Sequence, residues 1–210
     1  MSQTVRPPIL PAADLPPSCR LLSNPVDRRR EFLSGSTFAQ FIEEAERQRE
    51  HWRAVVRRAA VSPDALRRVR TLHGAWHLLV LTEDWCSDGV HTLPFLARLS
   101  QLTLNLDLRV LGRDRHPALM DEHKSGHARA IPVVMILDDE CIERGWWASR
   151  PSELQALIDG PWHRLPPRER ELAKRRWHAR DRGASALEEI ISLLEHLDAS
   201  MGALPASFDG

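Results

Sequence analysis

One short stretch, WHLLVLTEDWCSD, constrains the fold of this chain more than any other. Its first six residues, 76 to 81, form an almost wholly apolar run. A run of this length is typical of a strand that is buried on both faces of a sheet. The segment after it, DGVHTLPFLARLSQL, repeats large apolar residues every three positions and predicts a helix with a kink at Pro94. A strand buried on both faces needs helices on both sides, so the stretch predicts an α/β fold.

The elements between residues 76 and 147 follow the order strand, helix, strand, helix, strand, strand. The later strands are LDLRVL, IPVVMIL and CIERGWW, and PALMDEHKSG is the second helix. Two helical crossovers predict parallel pairing of the first three strands. The short polar turn DDE predicts an antiparallel hairpin at the end.

Further segments flank this core, and together they predict one globular domain with four parts. Residues 1–33 are rich in proline and predict an extended arm. Residues 34–74 predict one helix from about Phe38 to Ala59 and a second that begins with Ser62 as its cap and Pro63 in its first turn. Residues 75–160 form the core, and residues 161–210 predict C-terminal helices.

The composition excludes several classes of function. The chain has 29 basic and 29 acidic residues, so its net charge favours neither nucleic acid nor an anionic membrane. No apolar run is long enough to span a bilayer, and the N-terminus lacks the pattern of a secretory signal. Three scattered cysteines, Cys19, Cys86 and Cys141, do not form a disulfide framework. We therefore expect a protein of the reducing cytoplasm, with no nucleic-acid or membrane partner.

Cys86 is the candidate nucleophile. It lies between the end of the first buried strand and the start of the next helix. Functional sites favour strand ends in open α/β sheets, and a helix N-terminus stabilises a thiolate. Asp88 acts in the opposite direction, because a nearby carboxylate raises a thiol pKa. We assign Ser87 and Asp88 supporting roles, and Asp88 can also stabilise the helix N-terminus or accept a proton.

These features resemble the thioredoxin superfamily. The resemblance rests on Trp85 and Cys86 after an apolar strand, on Pro94 eight residues after the cysteine, and on Ile131-Pro132 at the start of a later strand. It covers about residues 76 to 158 and is strongest with a bacterial thioredoxin-like family that carries Trp-Cys-x-Asp. It implies a mixed sheet with flanking helices, here with an N-terminal helical extension and C-terminal helices.

The same resemblance implies further site residues. Ile131 and Pro132 would form the cis-proline pair that holds a substrate chain beside the sulfur. Trp85 would shield the sulfur and shape the docking surface. Arg129 lies just before this pair and can bind a substrate carboxylate or, equally well, pair with a local acid.

The chain departs from the thioredoxin pattern at two positions. Gly89 stands three residues after Cys86, where the second cysteine of the dithiol belongs, and Val80 replaces a buried aspartate. A dithiol of this type cannot form there. His91 is a conceivable partner for Cys86, although it lies more than one helical turn away. No spacing of metal ligands appears, so we predict neither a metal nor another cofactor.

These features support two main hypotheses for the function of the protein. The first is a single-cysteine thiol–disulfide oxidoreductase that acts on a protein or small-molecule disulfide and is resolved by an external low-molecular-weight thiol. The second is a redox-inactive binding module that keeps the fold and uses the Trp85–Cys86 surface to hold a partner. Peroxide sensing through a sulfenic acid at Cys86 is a third possibility.

Overall fold

Six strands form one mixed sheet in the computed structural model, which describes residues 9–202. The strands are β1 (Cys19–Asp27), β2 (Ser36–Thr37), β3 (Trp76–Thr82), β4 (Leu106–Gly112), β5 (Val133–Leu137) and β6 (Ile142–Ala148). Their order across the sheet is β1-β6-β5-β3-β4-β2. The strand that precedes Cys86 is therefore central, as its apolar sequence predicts.

Helices cover both faces of the sheet. They are α1 (Arg29–Ser34), α2 (Phe38–Glu44), α3 (Arg49–Val56), α4 (Pro63–Arg70), α5 (Ser87–Gln101), α6 (Pro117–Glu122), α7 (Ser152–Asp159), α8 (Pro167–Asp181) and α9 (Ala184–Gly202). The predicted cap of α4 is confirmed, because Ser62 Oγ accepts a hydrogen bond from the N–H of Ala65 at 3.1 Å. Within residues 9–202, no helix combines the length and the apolar character that crossing a bilayer requires.

Successive side chains of β3 enter two separate cores. Leu78 and Val80 pack in one cluster, whereas Leu79 and Leu81 pack in the other, and all four are fully buried. This alternation follows from the pleat of a strand. The first core lies under α3, α4, α5 and α9, and the second, smaller core contains Cys86. The α/β class and the thioredoxin-like arrangement predicted from the sequence are confirmed.

The direction of β5 differs from the prediction. β3 and β4 are parallel, but β5 pairs antiparallel with β3, with Val80 opposite Val134. The prediction of a second parallel crossover is wrong: α6 has six residues and spans about 9 Å, so this helix does not carry the chain back along the roughly 20 Å of a strand. The chain therefore enters β5 at the edge where β4 ends, which brings Ile131 and Pro132 to Cys86.

The predicted helix over residues 38–59 is broken into α2 and α3. The Asp84 carboxylate accepts hydrogen bonds from the N–H groups of Glu46 at 2.8 Å and Arg47 at 2.7 Å. The indole N–H of Trp52 also donates to the Asp84 carbonyl at 2.7 Å. The loop just before Cys86 thus binds the turn between the two helices, and this tertiary contact overrides the local helical pattern.

The proline-rich N-terminal segment contains an edge strand that its sequence did not indicate. β1 pairs antiparallel with β6, with a bulge between Leu21 and Val26. Pro25 lies inside this strand, and proline is tolerated there because an edge strand leaves one side of its backbone unpaired. Residues 1–8 of the predicted arm lie outside the described residues.

Two buried polar networks fasten the flanking elements to the sheet. Glu143 of β6 is fully buried and contacts Arg28 Nε and His123 Nε2, each at 2.7 Å. On the other face, the Glu189 carboxylate of α9 accepts from Ser18 Oγ at 2.6 Å and Trp147 Nε1 at 2.7 Å. β6 is thus tied to the N-terminal segment on one face and to the last helix on the other.

Candidate functional site

Cys86 is the N-cap residue of α5. Its Sγ accepts a hydrogen bond from the N–H of Gly89 at 3.2 Å, and its thiol donates to the Ile131 carbonyl at 3.4 Å. The side chain that caps the helix is thus the candidate nucleophile itself. Only 5% of Cys86 is exposed, so the sulfur lies beneath the surface.

Burial raises the pKa of the Cys86 thiol above its ordinary value of 9.0. The hydrogen bond from Gly89 acts in the opposite direction, and the charge of Asp88 adds to the increase. The expectation that the helix N-terminus would lower this pKa is therefore not met. Desolvation of the thiolate outweighs the stabilisation that the end of α5 provides.

Asp88 forms an ion pair with Arg150, whose Nε lies 2.7 Å from its carboxylate. His178 Nε2 lies 3.4 Å away and Lys174 Nζ 3.9 Å away, both on α8. Burial alone would raise the pKa of Asp88, but the hydrogen bond with His178 and the charges of Arg150 and Lys174 hold it below its ordinary value. Asp88 is consequently a fixed anion beside Cys86 and a weak proton acceptor.

Trp85 and Ile131-Pro132 flank the sulfur. The guanidinium of Arg113 lies over the Trp85 ring, 4.8 Å from its centroid, which favours a cation–π contact. Trp85 also packs against the core cluster that contains Cys86 and Ile131. The Ile131–Pro132 peptide bond is cis. The structure thus brings Trp85, Cys86, Ile131 and Pro132 together at one edge of the sheet.

Arg129 pairs with a local acid. Its Nε and Nη2 donate to the Asp121 carboxylate at 2.8 and 2.6 Å, and both side chains are partly exposed. Of the two roles that the sequence left open for Arg129, the structure shows the pairing with a carboxylate of the chain. Arg129 is connected to the site through its carbonyl, which accepts from Arg113 Nη1 at 3.3 Å.

The other two cysteines are free thiols remote from this chemistry. Burial, with the charge of Glu189 adding to it, raises the pKa of Cys19 to about 12, which makes it inert at neutral pH. Cys141 lies in the turn before β6, roughly 20 Å along β5 from the Ile131 end. Neither is placed to resolve a disulfide at Cys86.

His91 belongs to a separate cluster of imidazoles. Its ring stacks on His178 with a centroid distance of 4.3 Å and meets the edge of His51 at 5.2 Å. Within residues 9–202, no group of three or more histidine, cysteine or acidic side chains is arranged to hold a metal ion. Within the described residues, the ring contacts of His91 are thus with His178 and His51 rather than with Cys86.

Comparison with known proteins identifies the family. The family model described as thioredoxin matches residues 35–166, which is more than half of the chain. The chain belongs to the thioredoxin family. The match begins at the start of β2 and extends beyond α7, so it is wider than the 76–158 segment that the motifs indicate. No curated protein matches the chain.

Two solved structures share this thioredoxin fold. One is PA1234, a protein of unknown function from Pseudomonas aeruginosa, with 22% identity and a TM-score of 0.65 over 81% of this chain and 98% of that one. The other is an HIV epitope scaffold, with 21% identity and a TM-score of 0.59 over 85% of this chain and 100% of that one. At these identities, the likeness concerns the fold.

The thioredoxin match contains Cys86, Ile131 and Pro132 but leaves out β1, α8 and α9. The groups on α8 that surround Asp88 therefore come from outside the matched segment. Sequence reasoning missed them because α8 follows Asp88 by about eighty residues and has no motif. The pairing of Asp88 with Arg150 depends in the same way on tertiary packing.

Proposed function

We propose that this thioredoxin-family protein exchanges disulfides through a single cysteine, Cys86, with an external low-molecular-weight thiol as the resolving partner. The observation that carries the proposal is the position of the Cys86 sulfur between the Gly89 N–H and the Ile131 carbonyl, beside Trp85 and Pro132. A substrate chain that pairs with the backbone at Ile131 would lie against this sulfur. A reducing, cytoplasmic setting belongs to the same proposal, because it supplies the external thiol.

The exchange has two balanced steps. The Cys86 thiolate attacks a disulfide R–S–S–R′, a new S–S bond forms between Cys86 and R, and R′ leaves as a thiolate. An external thiolate then attacks the sulfur of R, the bond to Cys86 breaks, and the Cys86 thiolate is regenerated. The external thiol is oxidised to a mixed disulfide with R, and no second cysteine of the chain takes part.

The raised pKa of Cys86 sets the rates of these two steps. At neutral pH the thiolate is a minor species, so attack on a disulfide is slow and accelerates as the pH rises. A thiol of high pKa is also a poor leaving group, so the second step is slow as well. The second effect gives a long-lived mixed disulfide at Cys86, and both effects oppose rapid turnover.

Intact-mass spectrometry with glutathione disulfide tests this function. The protein with Cys19→Ser and Cys141→Ser should gain one glutathionyl group, faster at pH 9 than at pH 7, and lose it again with excess reduced glutathione. The further change Cys86→Ser should abolish the adduct. A native protein that stays unmodified under conditions where the urea-unfolded protein reacts would refute the proposal.

A second candidate, the redox-inactive binding module, is favoured by the low exposure of Cys86 at 5%. In this case the cysteine is a packing and capping residue, and the surface around Trp85 holds the partner. Affinity for a partner retained on an affinity column would then fall with Trp85→Ala and remain unchanged with Cys86→Ser. A redox partner trapped by a mixed disulfide would instead require Cys86.

A further inference from the structure

A cavity of about 360 Å³ lies between α3, the first turns of α5 and α8. All nine residues that line it have polar side chains, among them three histidines, Lys174 and Arg175. Packed helices ordinarily meet through apolar residues, so a cavity between helices whose lining side chains all carry polar groups is a candidate site for a polar ligand. The cavity is lined by Ser87 and Asp88 next to Cys86, but it does not include the Cys86 sulfur.

The ionic contacts around this cavity are unusually long. Lys174 Nζ lies 3.5 Å from Glu171 and 3.9 Å from Asp88, and Arg175 Nε lies 3.5 Å from Glu171. Good charged hydrogen bonds have lengths of about 2.7–2.9 Å. Arg150, which does not line the cavity, makes such a bond to Asp88 at 2.7 Å. Lys174 and Arg175 therefore do not form close ion pairs with the carboxylates that line the cavity.

Lys174 lacks a close hydrogen-bond acceptor among the residues that the structure describes. Its side chain is only 15% exposed, and the ammonium has three donors but no acceptor at normal hydrogen-bond length among residues 9–202. The rings of His51 and His91 likewise have no hydrogen-bond partner among residues 9–202. Of the carboxylates, Asp88 is already paired with Arg150 at 2.7 Å, whereas Glu171 has only the 3.5 Å contacts with Lys174 and Arg175. The N–H groups of Lys174, His51 and His91 are thus available to a ligand in the cavity.

The pKa values of His51 and His91 define the charge state of these two rings. Burial and the neighbouring His178 and His51 lower the pKa of His91 to about 3. Burial and the charges of Arg175 and Arg58 lower the pKa of His51. Both rings are therefore uncharged at neutral pH, and each can offer one N–H to a ligand.

We propose that this cavity is a binding site for a small oxyanion, a carboxylate or a phosphate, which Lys174, His51 and His91 hold with Arg175 at the entrance. Lys174 and Arg175 are on α8, outside the segment that matches the thioredoxin family, so the site is an addition to the shared fold. It is independent of disulfide exchange at Cys86.

The test is an NMR titration of the histidine ring resonances at pH 6.5 with sodium phosphate and, separately, sodium acetate. Sodium chloride at equal ionic strength is the reference. The chain has only two lysines, Lys124 and Lys174, and they give matched variants, Lys174→Met and Lys124→Met. Lys124 pairs with Asp121 at 2.7 Å and is remote from the cavity lining. His91→Gln serves if Lys174→Met fails to fold.

We expect saturable shifts of the His51 and His91 signals with phosphate or acetate, and the stronger of the two identifies the ligand class. Lys174→Met or His91→Gln should weaken binding about tenfold or more, since a hydrogen bond to a charged group contributes about 1.5–3 kcal/mol. Lys124→Met should bind as the unmodified protein does. Shifts that sodium chloride reproduces, that do not saturate, or that survive both cavity variants would overturn the proposal and leave water as the occupant.

Discussion

The Thr82 hydroxyl occupies the space beside Gly89. A Cβ atom on Gly89 would lie 2.8 Å from Thr82 Oγ1, closer than side chains are found in proteins. Thr82 is fully buried, and its hydroxyl has no hydrogen-bond partner of normal geometry in the described part of the chain. It lies near enough to Cys86 to help lower the pKa of the thiol. The side chain that would carry a second thiol is therefore excluded by a neighbour, Thr82.

This packing predicts that Gly89→Ala destabilises the protein. The added methyl group collides with Thr82, and overpacking of this kind costs about 1–3 kcal/mol. The double variant Thr82→Ala, Gly89→Ala should recover much of the loss. Urea unfolding measures both, and Gly74→Ala is the control because its Cβ would meet only an atom 3.8 Å away. Equal effects of the changes at positions 74 and 89 would contradict this account.

The pKa of Cys86 should exceed 9.0 and should fall when the charge of Asp88 is removed. Asp88→Asn eliminates a nearby negative charge that disfavours the thiolate. The pH dependence of alkylation by iodoacetamide measures this in a Cys19→Ser, Cys141→Ser background. Asp139→Asn, an exposed change in the β5–β6 turn, should leave the pKa of Cys86 unchanged. An apparent pKa below 9.0 in the starting protein would show that desolvation does not dominate.

Alkaline pH should destabilise the fold through Cys19. Its pKa is raised to about 12 in the folded protein, so the folded state binds the proton more tightly than the unfolded state does. The resulting stability is fully present below about pH 9.0 and is lost as the pH rises toward 12. The chain has no tyrosine and only two lysines, so few other groups titrate in this window. Urea unfolding between pH 8 and pH 11 should show a decline that Cys19→Ala reduces.

Removal of Arg28 should cost about 3 kcal/mol, because it leaves the buried Glu143 carboxylate with His123 alone. Arg28→Met tests this by denaturant unfolding. The adjacent Arg29→Met is the control, since Arg29 is exposed and its side chain donates to the Glu140 carbonyl at the surface. Similar losses from both substitutions would show that the Glu143 network has no special role.

The parts of the fold that the sequence predicted are those determined locally. The apolar run before Cys86 forms a strand because it can be buried on both faces, and Ser62 caps α4 because its hydroxyl reaches the N–H of Ala65. Cys86 lies at a helix N-terminus, as the change from a continuous apolar run to a helical period predicts. None of these features needs information from distant residues.

The parts that were missed depend on distant contacts. Asp84 breaks the first predicted helix, β6 provides the partner for β1, and β5 pairs antiparallel with β3. The pKa of Cys86 rises because of burial, and burial is a property of the assembled core. Local sequence could indicate the helix N-terminus but not the desolvation that outweighs it.

The pairing of β1 with β6 bears on when the molecule can finish folding. Cys19 lies opposite Trp147, and Glu189 of α9 binds the Trp147 indole and Ser18 together. Most of the chain must therefore leave the ribosome before the first strand finds its place, and the last helix must follow to fasten it. Contacts of such long range slow folding, so β1 should be among the last segments to gain protection from hydrogen exchange during refolding.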